Sequence, residues 1–235
     1  MADQIFVRSI ICAVLPMAII FNVSNAAAEK LWATNYYVQP ATVNPNGEPL
    51  LTRAGIELAK IAPKTWCLGA IEGTIIVKTS TGVHTYNVDG TKGLQLDCLP
   101  YLAPATRLEP WAKFLGKSRW QETQAKFGLG TGGYKLVPFR TIAVDRTKFQ
   151  IGTVLYIAAA KGVKYELPNG DIEIHDGYFF AGDVGSGIKG NHIDVFTGLT
   201  PNKVFSFIKS TSSATFEASV VTDEAIRNRL RAMHK

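Results

Sequence analysis

Metal-binding residues are scarce in this sequence, and the scarcity narrows its chemistry. Histidine appears four times in 235 residues and cysteine three times. None of these fall at the short spacings that build a zinc site, so no metal centre is expected. Long apolar runs are also absent. The longest, Ile10–Phe21, falls short of the about 20 residues a spanning helix needs. Neither sign of charge dominates: the net charge is +6 and the pI about 9.2. A modest basic excess suits an anionic polymer or surface, such as nucleic acid, anionic lipid or an acidic wall glycan. Part of it sits in the C-terminal stretch Arg227–Lys235. No zinc-finger spacing or basic–aromatic cluster accompanies it, so nucleic acid is not an expected partner. A dinucleotide fingerprint is missing too. Gly128–Gly133 reads GLGTGG, but it does not follow a clean strand or open a helix. It is read as a flexible, aromatic-rimmed loop, and no cofactor is expected.

What is present is an ordinary globular composition, 46% hydrophobic and 19% charged, sufficient for one domain or one domain with a large insertion. Ile10–Phe21, followed by Ala26-Ala27-Ala28, reads as a cleaved secretory signal over residues 1–28. Cys12 follows bulky Ile11 and is not expected to carry lipid. A periplasmic or secreted protein without a stable membrane span is expected. Export leaves Cys67 and Cys98, an even pair that reads as a disulfide in an oxidising compartment or as two buried thiols.

Short β-rich runs dominate the chain. Leu31–Val38 reads as a first strand and Thr52–Ile61 as a helix ended by Pro63. Residues 71–78 and 83–88 read as a hairpin about Ser80-Thr81-Gly82. Leu94–Cys98 reads as a short strand. Further strands are expected at 140–144, 154–159, 163–166, 172–174, 177–181 and 214–221. Thr200-Pro201 is read as a helix start, and Thr222–Met233 as a closing helix. Many short strands with few helices imply a compact β-barrel. The densest feature is Ala181–Gly198, AGDVGSGIKGNHIDVFTG, which sets Asp183 and Asp194 at the ends of a glycine-rich loop. An acid between Ile193 and Val195 reads either as a solvent-facing residue of the strand or as part of a site.

Two segments, RTIAVDRTKFQIGTVLYI (Arg140–Ile157) and FFAGDVGSGIKGNHIDVFTG (Phe179–Gly198), resemble the three-aspartate domain of cell-wall lytic enzymes. They are also similar to the barrel of the membrane-bound lytic transglycosylase A family. ATNYYVQP (Ala33–Pro40) resembles that family's opening strand. The three aspartates fall on Asp145, Asp183 and Asp194. Ser186 and Gly187 depart from the family's usual D-x-G-G-A loop. The resemblance implies a mainly β fold: a double-psi β-barrel with an inserted smaller β-rich domain and a C-terminal helix. The barrel would comprise residues 29–44 and 136–235, and the insertion residues 45–135.

The resemblance also implies an activity. The enzyme would cleave the MurNAc–GlcNAc β-1,4 bond of peptidoglycan and leave a 1,6-anhydro product, using one Asp as acid and then base. Asp194 is the expected acid, and Asp183 the supporting carboxylate. Asp145 either orients a loop or closes a turn. Lys189 is read as a contact to a glycan carboxylate or a solvated lysine. Gly185 and Gly190 supply loop geometry close to the sugar. Tyr36 and Tyr37 stack on sugar rings or pack in the core, and so do Trp111 and Trp120. His192 is a polar groove residue. Two other readings stay open: a non-catalytic, expansin-like polysaccharide-binding barrel, and a hydrolytic endoglucanase with Asp183 and Asp194 as its two acids. The partners expected are peptidoglycan glycan strands, with room for a cell-wall machinery partner.

Overall fold

The computed structural model describes residues 28–235; the apolar run expected to act as an export signal lies outside the described residues. In chain order the elements are β1 (Glu29–Tyr36), β2 (Gln39–Thr42), β3 (Glu48–Leu51), β4 (Glu57–Ile61), α1 (Pro63–Glu72), β5 (Thr74–Lys78), β6 (Val83–Thr91), α2 (Pro104–Arg107), β7 (Ser118–Thr123), β8 (Thr141–Ala143), β9 (Val154–Tyr156), β10 (Lys164–Glu166), β11 (Ile172–Ile174), β12 (Tyr178–Asp183), β13 (His192–Phe196), β14 (Phe216–Val220) and α3 (Glu224–Met233).

Six strands close into a barrel in the order β1-β13-β8-β12-β9-β14. Two of its pairs are parallel, β1 with β13 and β8 with β12, and the rest are antiparallel. Closure removes exposed strand edges. The barrel interior holds Leu31, Ala33, Ile142, Leu155, Ile193 and Val195, packed with Phe179 and Phe205. These positions alternate along their strands, so their neighbours face outward. Asp223 caps α3, accepting from the Ile226 N–H at 3.0 Å. Leu230 of α3 packs with Val154 and Phe180. His234, just beyond α3, stacks on Phe180 and lies 3.0 Å from Thr141 Oγ1. The helix is thereby tied to the barrel wall.

Between β1 and β8 the chain builds a second lobe. A four-stranded sheet, β2-β5-β6-β7, and the β3–β4 pair enclose a separate core around Trp66, Trp120 and Ile75. β2, which falls in the stretch expected to belong to the barrel, pairs in parallel with β5 of this lobe. Cys67 on α1 is bonded to Cys98 at a Cα–Cα distance of 5.4 Å. A small apolar cluster joins the two bodies. It sets Tyr36, Val38, Ala143 and Phe196 of the barrel side against Phe127 and Ile76.

Several expectations are corrected. Residues 57–61 are a strand, and Pro63 begins a helix where it was expected to end one. Proline lacks an N–H and has a helix-compatible φ, which suits the first turn. Leu94–Cys98 and the segment after Thr200 have no regular structure. Asp89-Gly90 does not end β6; the strand runs through it with a register break, Gly90 adopting a φ of +75°.

Candidate active site

The site forms on the outer face of the barrel wall where β1 and β13 run side by side. Trp32, Thr34 and Tyr36 share that face of β1, because Leu31 and Ala33 point inward. In register beside them stand His192, Asp194 and Phe196 of β13. The Thr34 hydroxyl donates to Asp194 Oδ1 at 2.7 Å and lies 2.8 Å from His192 Nε2. Trp32 stacks flat on His192, with ring centroids 3.6 Å apart. His192 and Asp194 are thus bridged by one hydroxyl.

Asp183 arrives from the other side of β8. Ala143 of β8 is the register partner of both Asp183 and Asp194. Strict alternation would turn Asp183 inward with Phe179 and Ala181. A register shift between Ala181 and Asp183 breaks that alternation, as bulges do next to active sites. Asp183 Oδ2 accepts from the Tyr36 hydroxyl at 3.0 Å, and Oδ1 from the Val184 N–H at 2.9 Å. The methyl of Ala143 leaves space between the two acids.

Both acids hold their protons unusually tightly. Burial, and then the negative charge of Asp183, push Asp194 up to about 7 against the opposing hydrogen bond from Thr34. Burial pushes Asp183 up to about 6, while Val184, Tyr36 and Thr131 pull the other way. Burial also raises the Tyr36 hydroxyl well above the usual tyrosine range, with Asp183 next in effect.

Asp145 stands apart from this pair. Its carboxylate accepts from the Gly190 N–H at 2.8 Å and from Thr147 N and Oγ1 at 2.9 and 2.8 Å. These bonds hold it down to about 2, with the Gly190 N–H the largest cause. The Gly190 φ of +58° suits a residue without a Cβ. At Gly185 an added Cβ would meet Ile188 Cγ1 at 2.6 Å. Asp145, Lys189 and Gly185 line a cavity of about 250 Å³. Lys189 also lines an apolar pocket of about 470 Å³ with Trp111, Phe114 and Gly187. The buried Trp111 Nε1 has no hydrogen-bond partner among the described residues. Of the two readings of Trp120 the structure takes core packing: it is fully buried edge-to-face against Trp66 in the lobe core. Tyr37 meets the lobe, its N–H donating to Glu72 Oε2 at 3.3 Å.

A groove of about 370 Å³ runs between barrel and lobe. Its walls bring Asp183 and Ser186 opposite Glu72 and Thr74, with Leu129–Thr131 closing the end. The GLGTGG run is therefore a packed wall and not a free loop. Asn87 of β6 grips it at both polar groups, donating to Leu129 O and accepting from Leu129 N, both at 2.9 Å. Gly130 lies so close to β12 that an added Cβ would sit 2.4 Å from Gly182 O.

Thr34, Glu72, Asn87 and Thr131 were not singled out from the sequence. Thr34 becomes visible only once β1 is registered on β13. Glu72 had a local signal: Pro63 and Gly73 mark the start and end of a helix in the favoured order. Among the described residues, no group of three or more His, Cys, Asp or Glu side chains is arranged to hold a metal ion.

Comparison with known proteins bears on the fold that carries this geometry. Residues 140–203 match the family of the 3D domain. A structure of E. coli MltA with bound chitohexaose is similar over 81% of this chain and 71% of its own, at 16% identity and a TM-score of 0.52. A membrane-bound lytic murein transglycosylase from Agrobacterium tumefaciens is similar over 86% of this chain and 76% of its own, at 14% identity and a TM-score of 0.54. No curated protein sequence matches the chain. Residues 140–203 thus carry the match to the 3D domain, and the described residues share the double-psi β-barrel fold of the MltA-type structures.

Proposed function

We propose that this protein is an exported lytic transglycosylase that cleaves the MurNAc–GlcNAc β-1,4 bond of peptidoglycan. The observation that carries the reading is the pair Asp183 and Asp194. They flank Ala143 beside an open groove, and Asp194 is held protonated up to about 7. A carboxyl that keeps its proton near neutral pH is poised to give it to a leaving oxygen.

Asp194 donates its proton to the glycosidic oxygen as the bond to C1 of the muramoyl sugar breaks. The positive charge that develops at C1 is stabilised by the Asp183 carboxylate. The C6 hydroxyl of the same sugar then attacks C1, and its proton passes to Asp194, now a carboxylate. One bond breaks, one forms, no water is consumed, and Asp194 ends protonated as it began. Thr34 and Tyr36 hold the two acids in place through the bonds described above. Asp145 fixes the turn at Gly190, and Lys189, His192, Trp111, Tyr37 and Gly185 line the approach for the glycan. The disulfide suits an oxidising compartment, in keeping with export. Among the described residues, no helix is long and apolar enough to cross a membrane.

The test is mass spectrometry of peptidoglycan digested by wild type and Asp194→Asn. Anhydro-muropeptides are expected from wild type, with the rate reduced roughly 10²–10⁴-fold or more in the variant. Reducing-end products would move the protein to the hydrolases. Retention on sacculi without release of soluble product would leave a binding barrel.

A further inference from the structure

Glu72 is a carboxyl in the groove that the mechanism above does not use. It is the last residue of α1, where Gly73 in the left-handed conformation (φ +78°) stops the helix and turns the chain into β5. Local electrostatics oppose an acid there. The C-terminal end of a helix carries partial negative charge and favours cations. Glu72 nevertheless stands at this end, inside the lining of the 370 Å³ groove, across from Asp183. No lysine, arginine or histidine shares that lining. Its Oε2 accepts one long bond from the Tyr37 N–H, 3.3 Å.

The groups that face Glu72 are neutral or acidic. From β1 and the residue after it come Tyr36 and Tyr37, from β13 Asp194, and from β12 Asp183. Burial is the main cause that raises Glu72 to about 8; the Tyr37 N–H opposes it and the charge of Asp194 adds to it. At neutral pH the side chain is therefore a carboxylic acid with one O–H to donate. A packing residue in this place has no use for that donor. An acid kept neutral against a helix C-terminus, without a cation, is a local conflict of the kind found at binding sites.

We propose that Glu72 is a specificity residue whose carboxyl hydroxyl donates a hydrogen bond to the acetamido carbonyl of an N-acetylated amino sugar lying in the groove beside Asp183. The amide carbonyl is the strongest neutral acceptor such a sugar offers. A sugar carrying a free ammonium in its place has no acceptor for the O–H. The proposal rests on the reading of the groove as a glycan site.

The experiment measures binding, so that it does not depend on turnover. Asp194→Asn serves as the parent, titrated with the hexamer of N-acetylglucosamine and with its de-N-acetylated counterpart, followed by calorimetry. Adding Glu72→Ala is expected to weaken the acetylated hexamer about five- to tenfold and to leave the de-N-acetylated one unchanged. Adding Glu72→Gln, which keeps a neutral donor, is expected to restore most of the loss. The parent's affinity for the acetylated hexamer is expected to fall as pH rises through about 8, the range in which Glu72 loses its proton, and the Gln variant's to stay flat. The proposal is overturned if Glu72→Ala binds the acetylated hexamer like the parent, if it weakens both hexamers equally, or if the parent binds neither. The two readings fail separately. This binding pattern without anhydro products from the wild type would remove the transglycosylase assignment and keep Glu72. Anhydro products with binding indifferent to Glu72→Ala would do the reverse.

Discussion

The barrel and the lobe are built in opposite ways. The barrel closes by pairing β1 with β13 and β14, strands more than 150 residues away, so its register is fixed by long-range contacts. The lobe mostly pairs neighbours in sequence, β3 with β4, and β5 with β6. The acids sit on the long-range body. There, one register shift would turn Asp194 and Thr34 from the outer face of the wall to the core. The lobe supplies a wall, and walls tolerate local variation better than register does. The proposed catalytic pair thus sits on the body whose geometry is over-determined, and the recognition group proposed at Glu72 on the other.

The sharpest way to break this comparison is to loosen the lobe alone. Cys67 and Cys98 close a loop with a sequence separation of 31 wholly within the lobe. In the chain-entropy model such a cross-link contributes about 3–4 kcal/mol. The double Cys→Ser variant is expected to lose that much stability in the lobe while the barrel persists. Native-state hydrogen exchange should show deprotection of β5–β7 and α1 with β8, β12 and β13 still protected. Uniform loss across both bodies would mean that they unfold as one unit and that the division drawn above has no energetic basis.

The same division explains what the sequence disclosed. The barrel was legible through its motifs. Asp183 and Asp194 stand at a fixed spacing with Gly185 and Gly190 between them, and the apolar alternation of Ile193 and Val195 marks a strand with one face buried. The lobe was not, because local propensity competes there with tertiary pairing. Thr52–Ile61 has helical apolar spacing, yet Leu50 and Ile61 are drawn into the lobe core and the chain pairs as β3–β4. Pro63 was equally readable as a stop or a start, and only the position of Gly73 decides between them. Thr200-Pro201 carries a helix-start signal, but the segment after it forms none; its Phe205, Phe207 and Ile208 are buried in the barrel core as irregular chain. The GLGTGG run looked free because its anchors, Asn87 and Gly182, lie far away in sequence.

A smaller intervention tests how closely wall and acid are joined. Gly130 leaves no room for a side chain against Gly182 O and the Asp183 Cβ, at 2.4 and 3.2 Å from an added Cβ. Gly130→Ala is expected to cost about 1–3 kcal/mol, as overpacking against backbone does. It should also lower the rate of product release from peptidoglycan more than it lowers affinity, because Asp183 would be displaced. Thermal unfolding together with kcat and KM on peptidoglycan checks both. A variant with normal kcat would show that the wall can move without disturbing the acid.

The mildest effect separates the two bodies by pH. Asp183, Asp194 and Glu72 have folded-state values of about 6, 7 and 8, above their ordinary carboxyl values. Groups raised in this way favour the folded state below their unfolded values, and that contribution is lost as pH rises through the folded ones. The groove therefore weakens the fold from about pH 4 to about pH 8. His175 and His234, in the barrel, are lowered to about 4, mainly by burial. Their contribution is complete above their ordinary value and is lost as pH falls through about 4. The two windows overlap from about pH 4 to about 6.5, the acid side, where they oppose each other; above it the carboxyls alone act and stability falls to about pH 8. Scanning calorimetry across this range should show Asp194→Asn combined with Glu72→Gln gaining Tm over wild type steadily from about pH 4 to about pH 8. His234→Gln should flatten the acid side, though the loss of its bond to Thr141 lowers the whole curve. If the carboxyl variants instead differed from wild type by the same amount at pH 4 and at pH 8, the proton balance assigned to the groove would be wrong, and with it the reason proposed for Asp194 acting as an acid.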